Sequence, residues 1–135
     1  MNRVKTQREA LTAYAAGLFG ACADRPFSDD SDTTVVRHGA DGKWFCLFMN
    51  LPLSRLIMDG KGRADVVNLK LDPEEVYAVR EMYASILPAY HMNKLHWVSV
   101  ILDGSVPQDF CELLIEKSYS ATQPGRKRKK TENTV

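Results

Sequence analysis

A chain of 135 residues with 44% hydrophobic and 26% charged residues and a net charge of +1 has the length of one domain and the composition of an ordinary globular protein. Those figures exclude fibrous and wholly disordered classes. No stretch approaches the roughly eighteen apolar residues that span a bilayer, and no apolar signal core follows Met1, so the expected setting is the cytoplasm, with no membrane partner. The near-neutral total hides a split. Removing residues 125–135 leaves 13 basic and 16 acidic residues, so a body of −3 carries a tail of +4.

The first predicted element is a helix over residues 6–23. Thr6 and Glu9 have capping-box spacing, and Leu11, Tyr14, Ala15, Leu18, Phe19 and Cys22 recur as one apolar stripe. A loop with Pro26 and four aspartates follows. Strands are predicted over residues 33–37 and 43–49, paired as a hairpin by the Asp41-Gly42 turn, and over residues 64–71, where Val67, Leu69 and Leu71 alternate with Asn68 and Lys70.

Asp72-Pro73-Glu74-Glu75 opens a second helix, with a capping aspartate, proline at the first position and acids in the first turn. It runs to about Tyr83. An extended piece near residues 88–92 leads to a strand over residues 96–102, and a last helix begins near residues 105–107 and ends near Ser120, burying Phe110, Leu113, Leu114 and Tyr119. Residues 1–122 form the predicted domain, and residues 123–135 read as a disordered basic tail. The fold class is α+β: a two-layer sandwich in the order α-β-β-β-α-β-β-α, with a largely antiparallel five-stranded sheet and three helices on one face.

Four strings then become recognisable. They are Lys43-Trp44-Phe45; Asn68-Leu69-Lys70 with Asp72-Pro73; Pro88-Ala89-Tyr90-His91-Met92-Asn93-Lys94 with His96-Trp97; and Leu102-Asp103-Gly104-Ser105-Val106-Pro107. Their order and spacing over about residues 5–120 resemble the MmcQ/YjbR family. That resemblance implies a CyaY-like or secretion-chaperone-like sandwich, a suggested DNA-binding role in which hairpins act as wings, and no catalytic set to carry over.

The residues themselves point to binding rather than catalysis. Cys22, Cys46 and Cys111 are far apart and set among apolar neighbours, so reduced, mostly buried thiols are expected, and no disulfide or zinc knuckle. His91 and His96 flank a turn and His38 lies on another strand, but no carboxylate or cysteine joins them at ligand spacing. No metal or cofactor is expected. Ser99 and Ser105 lack a nucleophile elbow, and no carboxylate pair sits in a setting that would separate its acid strengths. Gly60-Lys61-Gly62-Arg63 lacks P-loop spacing and reads as a charged hairpin tip.

Alternation assigns Val98, Val100 and Leu102 to the core side and turns Trp97 toward the side of Asn68 and Lys70. That outer face is either a binding surface or is covered by residues 51–62 or the region near residues 86–90. As a surface, it would offer Arg37, His38, Lys43, Asn68, Lys70, His91, Asn93, Lys94, His96 and Trp97 to nucleic acid, with Arg126, Lys127, Arg128, Lys129 and Lys130 adding salt-sensitive attraction. The expected function is a small non-enzymatic module that contacts nucleic acid weakly. The alternative is a protein-interaction or chaperone-like module that docks a partner or a second copy on the apolar sheet face, working as a monomer or a homodimer.

Overall fold

The computed structural model describes residues 5–27 and 32–123. Thr6 and Glu9 close the capping box that their spacing predicts, each side chain holding the other's backbone N–H at 3.0 Å. The helix they start, α1, spans Gln7–Ala16 and stops seven residues early. Gly17 forms its C-cap and Gly20 takes a φ of 74°, a conformation that suits glycine. The chain then reverses into a strand, β1 (Ala21–Asp24), which periodicity alone had absorbed into the helix. Two members of the predicted stripe therefore leave the core. Phe19 is 91% exposed and Cys22 is exposed on β1.

The sheet comprises β1, β2 (Thr34–His38), β3 (Trp44–Pro52), β4 (Arg63–Lys70), β5 (Ile86–Pro88) and β6 (Trp97–Ile101), in the spatial order β1-β2-β3-β4-β6-β5, every pair antiparallel. It has six strands, one more than expected. Helix α2 (Pro73–Met82) separates β4 from β5, and α3 (Gln108–Ala121) ends the described chain. Proline occupies the start of α2 as predicted, but the Asp72 side chain makes no capping bond.

All three helices share one core with one side of the sheet. Leu11, Ala15, Val76, Val79, Cys111, Leu114 and Ile115 pack with Val67, Leu69, Leu71, Val98, Val100 and Leu102. The alternation in β4 and β6 is thus as the sequence implies. The buried face of α3 runs through Cys111, Leu114, Ile115 and Ser118, and rotates Leu113 outward to 45% exposure.

The opposite side of the sheet is a second core. Val35, Leu47, Met49, Val66 and Ile101 are buried there beneath Leu51, Leu53, Leu56, Leu87, Tyr90 and Met92. Leu53 and Leu56 of that cover come from the long β3–β4 connection, which makes a 3-10 turn at Leu53–Arg55. Leu53 N–H reaches the Gly62 carbonyl at 2.8 Å, and Gly60 N–H the Ile57 carbonyl at 2.9 Å. A Cβ on Gly60 would lie 2.8 Å from the Leu53 carbonyl, so only glycine fits this fold-back. Tyr90 and Met92 come from the segment that follows β5.

The sheet edge at β5 is closed to strand addition. The bond from Ile101 N–H to the Ser85 carbonyl sets the phase of the ladder, so Leu87 turns its amide to β6 while Ile86 and Pro88 face away. The Ile86 N–H is spent on the Tyr83 carbonyl at 3.1 Å, and proline has no N–H. That edge offers no free donor to a further strand.

Candidate functional site

Strand register brings several of the predicted binding residues into one row. Cys22 pairs with Arg37, and Arg37 with Trp44. Lys70 pairs with Trp97. Between the two halves, Phe45 is an extra residue: Val36 faces Cys46 while Arg37 faces Trp44. This bulge drops both Phe45 and Cys46 into the helix-side core and leaves Trp44 outward, packed against the second core. Crossing the sheet at one end of its outer face, the row therefore reads Cys22, Arg37, Trp44, Lys70, Trp97. Arg37, Trp44, Lys70 and Trp97 are all half-buried. Phe27 stands edge-on to Trp44, with ring centroids 5.8 Å apart, and Arg37 forms an ion pair with Asp24.

Other predicted residues border the row. Lys43 is exposed at the β2–β3 turn next to Trp44, with its backbone N–H held by Asp41 Oδ1 at 3.0 Å. Asn93 and Lys94 are exposed on the loop before β6, where Asn93 Oδ1 accepts the N–H groups of Leu95 and His96 at 2.8 and 3.0 Å. His96 is half-buried and its carbonyl accepts Leu71 N–H at 2.8 Å. His91 is exposed and stacks on the Tyr90 ring at 3.9 Å and 14°.

Two residues do not belong to this surface. Asn68 points to the predicted side, but that side is covered there. It has no exposure, and its amide donates to the Tyr90 carbonyl at 2.9 Å while its Oδ1 accepts from Ser99 Oγ at 2.5 Å. His38 faces the helices, because it lies one residue beyond Arg37 on a strand of period two. It is 3% exposed, between the rings of Phe45 and Tyr119. Its Nε2 lies 2.9 Å from Thr122 Oγ1 and 3.1 Å from the Tyr119 carbonyl. A carbonyl only accepts, and Thr122 already donates to the Ser118 carbonyl at 2.8 Å, so the proton sits on Nε2. Burial pushes the His38 pKa below its ordinary value of 6.5, aided by Lys43 and opposed by the Tyr119 carbonyl and Asp41. The three histidines do not converge, and no group of three metal-ligating side chains occurs among the described residues. Residues 126–130, also predicted to bind, lie outside the described residues.

Charge is sorted by layer. The elements of the outer face and its cover, residues 33–71 and 83–102, hold seven Lys and Arg against three acids. The two later helices and their caps, residues 72–82 and 107–122, hold seven acids against two bases. Between α2 and α3, a cavity of about 420 Å³ is lined by Asp72, Glu75, Glu116 and Lys117. The −3 of the body thus combines +4 on the sheet side, −5 on the two later helices, and −2 from residues 1–32 and Asp103. No helix among the described residues is long and apolar enough to cross a membrane.

The sequence profile of the YjbR family matches residues 16–121, which include every strand and helix except most of α1. The chain belongs to the YjbR family. Its YjbR relatives include YyaQ of Bacillus subtilis, 34% identical over 116 residues, a match covering 86% of this chain and 98% of that protein. YjbR of Escherichia coli is 40% identical over 53 residues, covering 39% of this chain and 45% of its own length. The crystal structure of a Pseudomonas syringae protein superposes with a TM-score of 0.79 at 36% identity, covering 91% of this chain and all of the other. A Deinococcus radiodurans protein of known structure superposes at 0.69 with 29% identity, covering 93% of this chain and 87% of the other. The YjbR architecture is therefore common to proteins from distant bacteria.

Proposed function

We propose that this YjbR-family chain is a nucleic-acid-binding module that works through the outer sheet row. Arg37 and Lys70 take phosphates, Trp44 and Trp97 take bases, and Lys43 and Lys94 widen the cationic rim. The observation that carries this reading is that two registered cross-strand pairs, Arg37 with Trp44 and Lys70 with Trp97, set two cations and two half-buried indoles along one end of the basic outer face. Aromatic platforms stack on bases without demanding a sequence, and adjacent cations neutralise the backbone. The acidic helices would keep a polyanion on the opposite side. The basic run Arg126–Lys130 supplies further sequence-independent attraction.

The apolar sheet face offered for partner docking in the alternative reading is filled by the fold's own cover, with Val66 wholly buried and Ile101 4% exposed. That weakens the alternative. Exposed Ile57 and Met58 on the cover loop, Leu95 on the loop before β6 and Phe27 beside Trp44 are apolar residues that support it.

Binding measured against salt tests the proposal. Phosphate neutralisation makes log affinity fall linearly with log salt. Lys70→Ala should lower that slope by about 1, and deletion of residues 125–135 should lower it further without changing the melting temperature. An affinity indifferent to salt, or a slope untouched by both changes, overturns the reading.

A further inference from the structure

Tyr90 and His91 are built as a stacking platform. Two fully buried side chains, Asn68 and Ser99, hold the Tyr90 backbone from below: Asn68 Nδ2 donates to its carbonyl at 2.9 Å, and its N–H donates to Ser99 Oγ at 2.9 Å. The phenol is held from the side by Arg55 Nη1 at 2.8 Å. His91 then adopts a φ of 59°, uncommon for a residue with a Cβ, which lays the imidazole flat on the phenol, 3.9 Å away and 14° from parallel. The imidazole is exposed. A polar pair committed to the middle of an apolar layer, and a left-handed backbone, together present one flat ring to solvent. The loop that carries it leads into Trp97, whose N–H bonds the Asn93 carbonyl at 3.0 Å.

We infer that the Tyr90–His91 stack receives an unpaired base, so that the nucleic acid bound by this chain is single-stranded. This rests on the nucleic-acid reading above and narrows it. A duplex keeps its base faces inside its own stack and shows only edges in its grooves. A surface ring can stack only on a base free of that stack. Trp44 and Trp97 lie on strands two positions apart, about 10 Å at the usual strand spacing, and also offer rings rather than groove-reading donors. With Arg37, Lys70 and Arg55 beside these rings, the surface alternates stacking and phosphate contacts, as a strand with splayed bases requires.

Fluorescence anisotropy on the full chain, with oligo(dT) of about 20 nucleotides and a duplex of equal length, tests this. The wild type should bind the single strand more tightly. His91→Gly suits the positive φ while removing the ring, and should weaken strand binding about tenfold, the loss of one stacked base. Duplex binding, the melting temperature and the salt slope should stay unchanged, because stacking releases no counterions. His91→Tyr should restore strand affinity. Preference for duplex, equal loss on both probes, or no loss in His91→Gly overturns the stacking platform while leaving nucleic-acid binding in place. Failure of both probes to bind at low salt overturns the nucleic-acid reading itself, and the platform with it.

Discussion

Ser99 donates its hydroxyl proton to Asn68 Oδ1 at 2.5 Å across β4 and β6, and neither residue has any solvent exposure. The pair sits in a layer otherwise filled by Val35, Leu47, Met49, Val66 and Ile101. The Asn68 amide nitrogen and the Ser99 oxygen each also bond the backbone of Tyr90. Every side-chain nitrogen and oxygen of the pair thus has a partner, and such a buried network fixes one arrangement where an apolar layer would tolerate several.

Asn68→Leu therefore breaks more than one bond. The Tyr90 carbonyl loses its donor and the Ser99 hydroxyl its acceptor, at positions where Asn68 and Ser99 have no solvent exposure. A cost of about 2 kcal/mol is expected, seen as a lower urea midpoint with an unchanged slope. An unchanged midpoint would mean that the network contributes nothing to stability.

Ser118 performs a similar task on the helix side. Its Oγ donates to the Phe45 carbonyl at 2.6 Å and accepts Lys70 N–H at 2.8 Å, from a residue with no exposure. The last registered β3–β4 pair at that end is Cys46 with Leu69, so beyond the bulge the helix hydroxyl replaces the ladder. Ser118→Ala removes one methyl-sized polar group yet strands a buried carbonyl and a partly buried amide. It should cost about 2–3 kcal/mol, and amide exchange at Lys70 should quicken with it.

These two serines and the asparagine mark where sequence reading stops. Alternation in β4 and β6 assigns every side chain to its correct face, because a period of two admits no other solution once Val67 and Leu69 are inward. It cannot tell whether the other face is wet. Asn68 has the polarity of a surface residue, and only its partners, 22 and 31 positions away, reveal a buried one. The cover at residues 51–62 depends on Gly60, whose lack of a Cβ permits a contact that no periodicity records. The early end of α1 was readable: Gly17 and Gly20 interrupt the helical stripe, and the spacing of Phe19 and Cys22 concealed it. The Arg37–Trp44 pairing required knowledge of a bulge, which neither turn chemistry nor alternation encodes.

His38 makes stability depend on pH. Burial lowers its folded pKa below the ordinary 6.5, so the unfolded chain takes up this proton first as pH falls. Unfolding then gains protons, and stability rises with pH across the interval between the folded value and 6.5. The contribution is complete above about 6.5 and is lost on acidification toward the folded value. Melting temperatures between about pH 7.5 and pH 5 should fall for the wild type. His38→Gln, which retains an N–H for the Tyr119 carbonyl, should fall less steeply. Parallel curves would show that His38 titrates alike in both states.

The three thiols should differ in reactivity by position alone. Cys46 has no exposure, and burial raises its pKa well above the ordinary thiol value, so at neutral pH it is neither ionised nor reachable. Cys111 is pushed up to about 11, chiefly by burial, with Glu112 and Asp109 adding repulsion of the thiolate. Cys22 is exposed on β1 beside Arg37. A thiol-exchange reagent at neutral pH should therefore modify about one equivalent quickly in the folded protein and all three in denaturant. Cys22→Ser should abolish the fast phase. A fast equivalent remaining in that variant would mean that β3 or α3 opens on the timescale of the reaction. The same reagent also reports on the outer row. Cys22 is the cross-strand neighbour of Arg37, so a nucleic acid lying along Arg37, Trp44 and Lys70 should slow the Cys22 reaction and leave the denatured total unchanged.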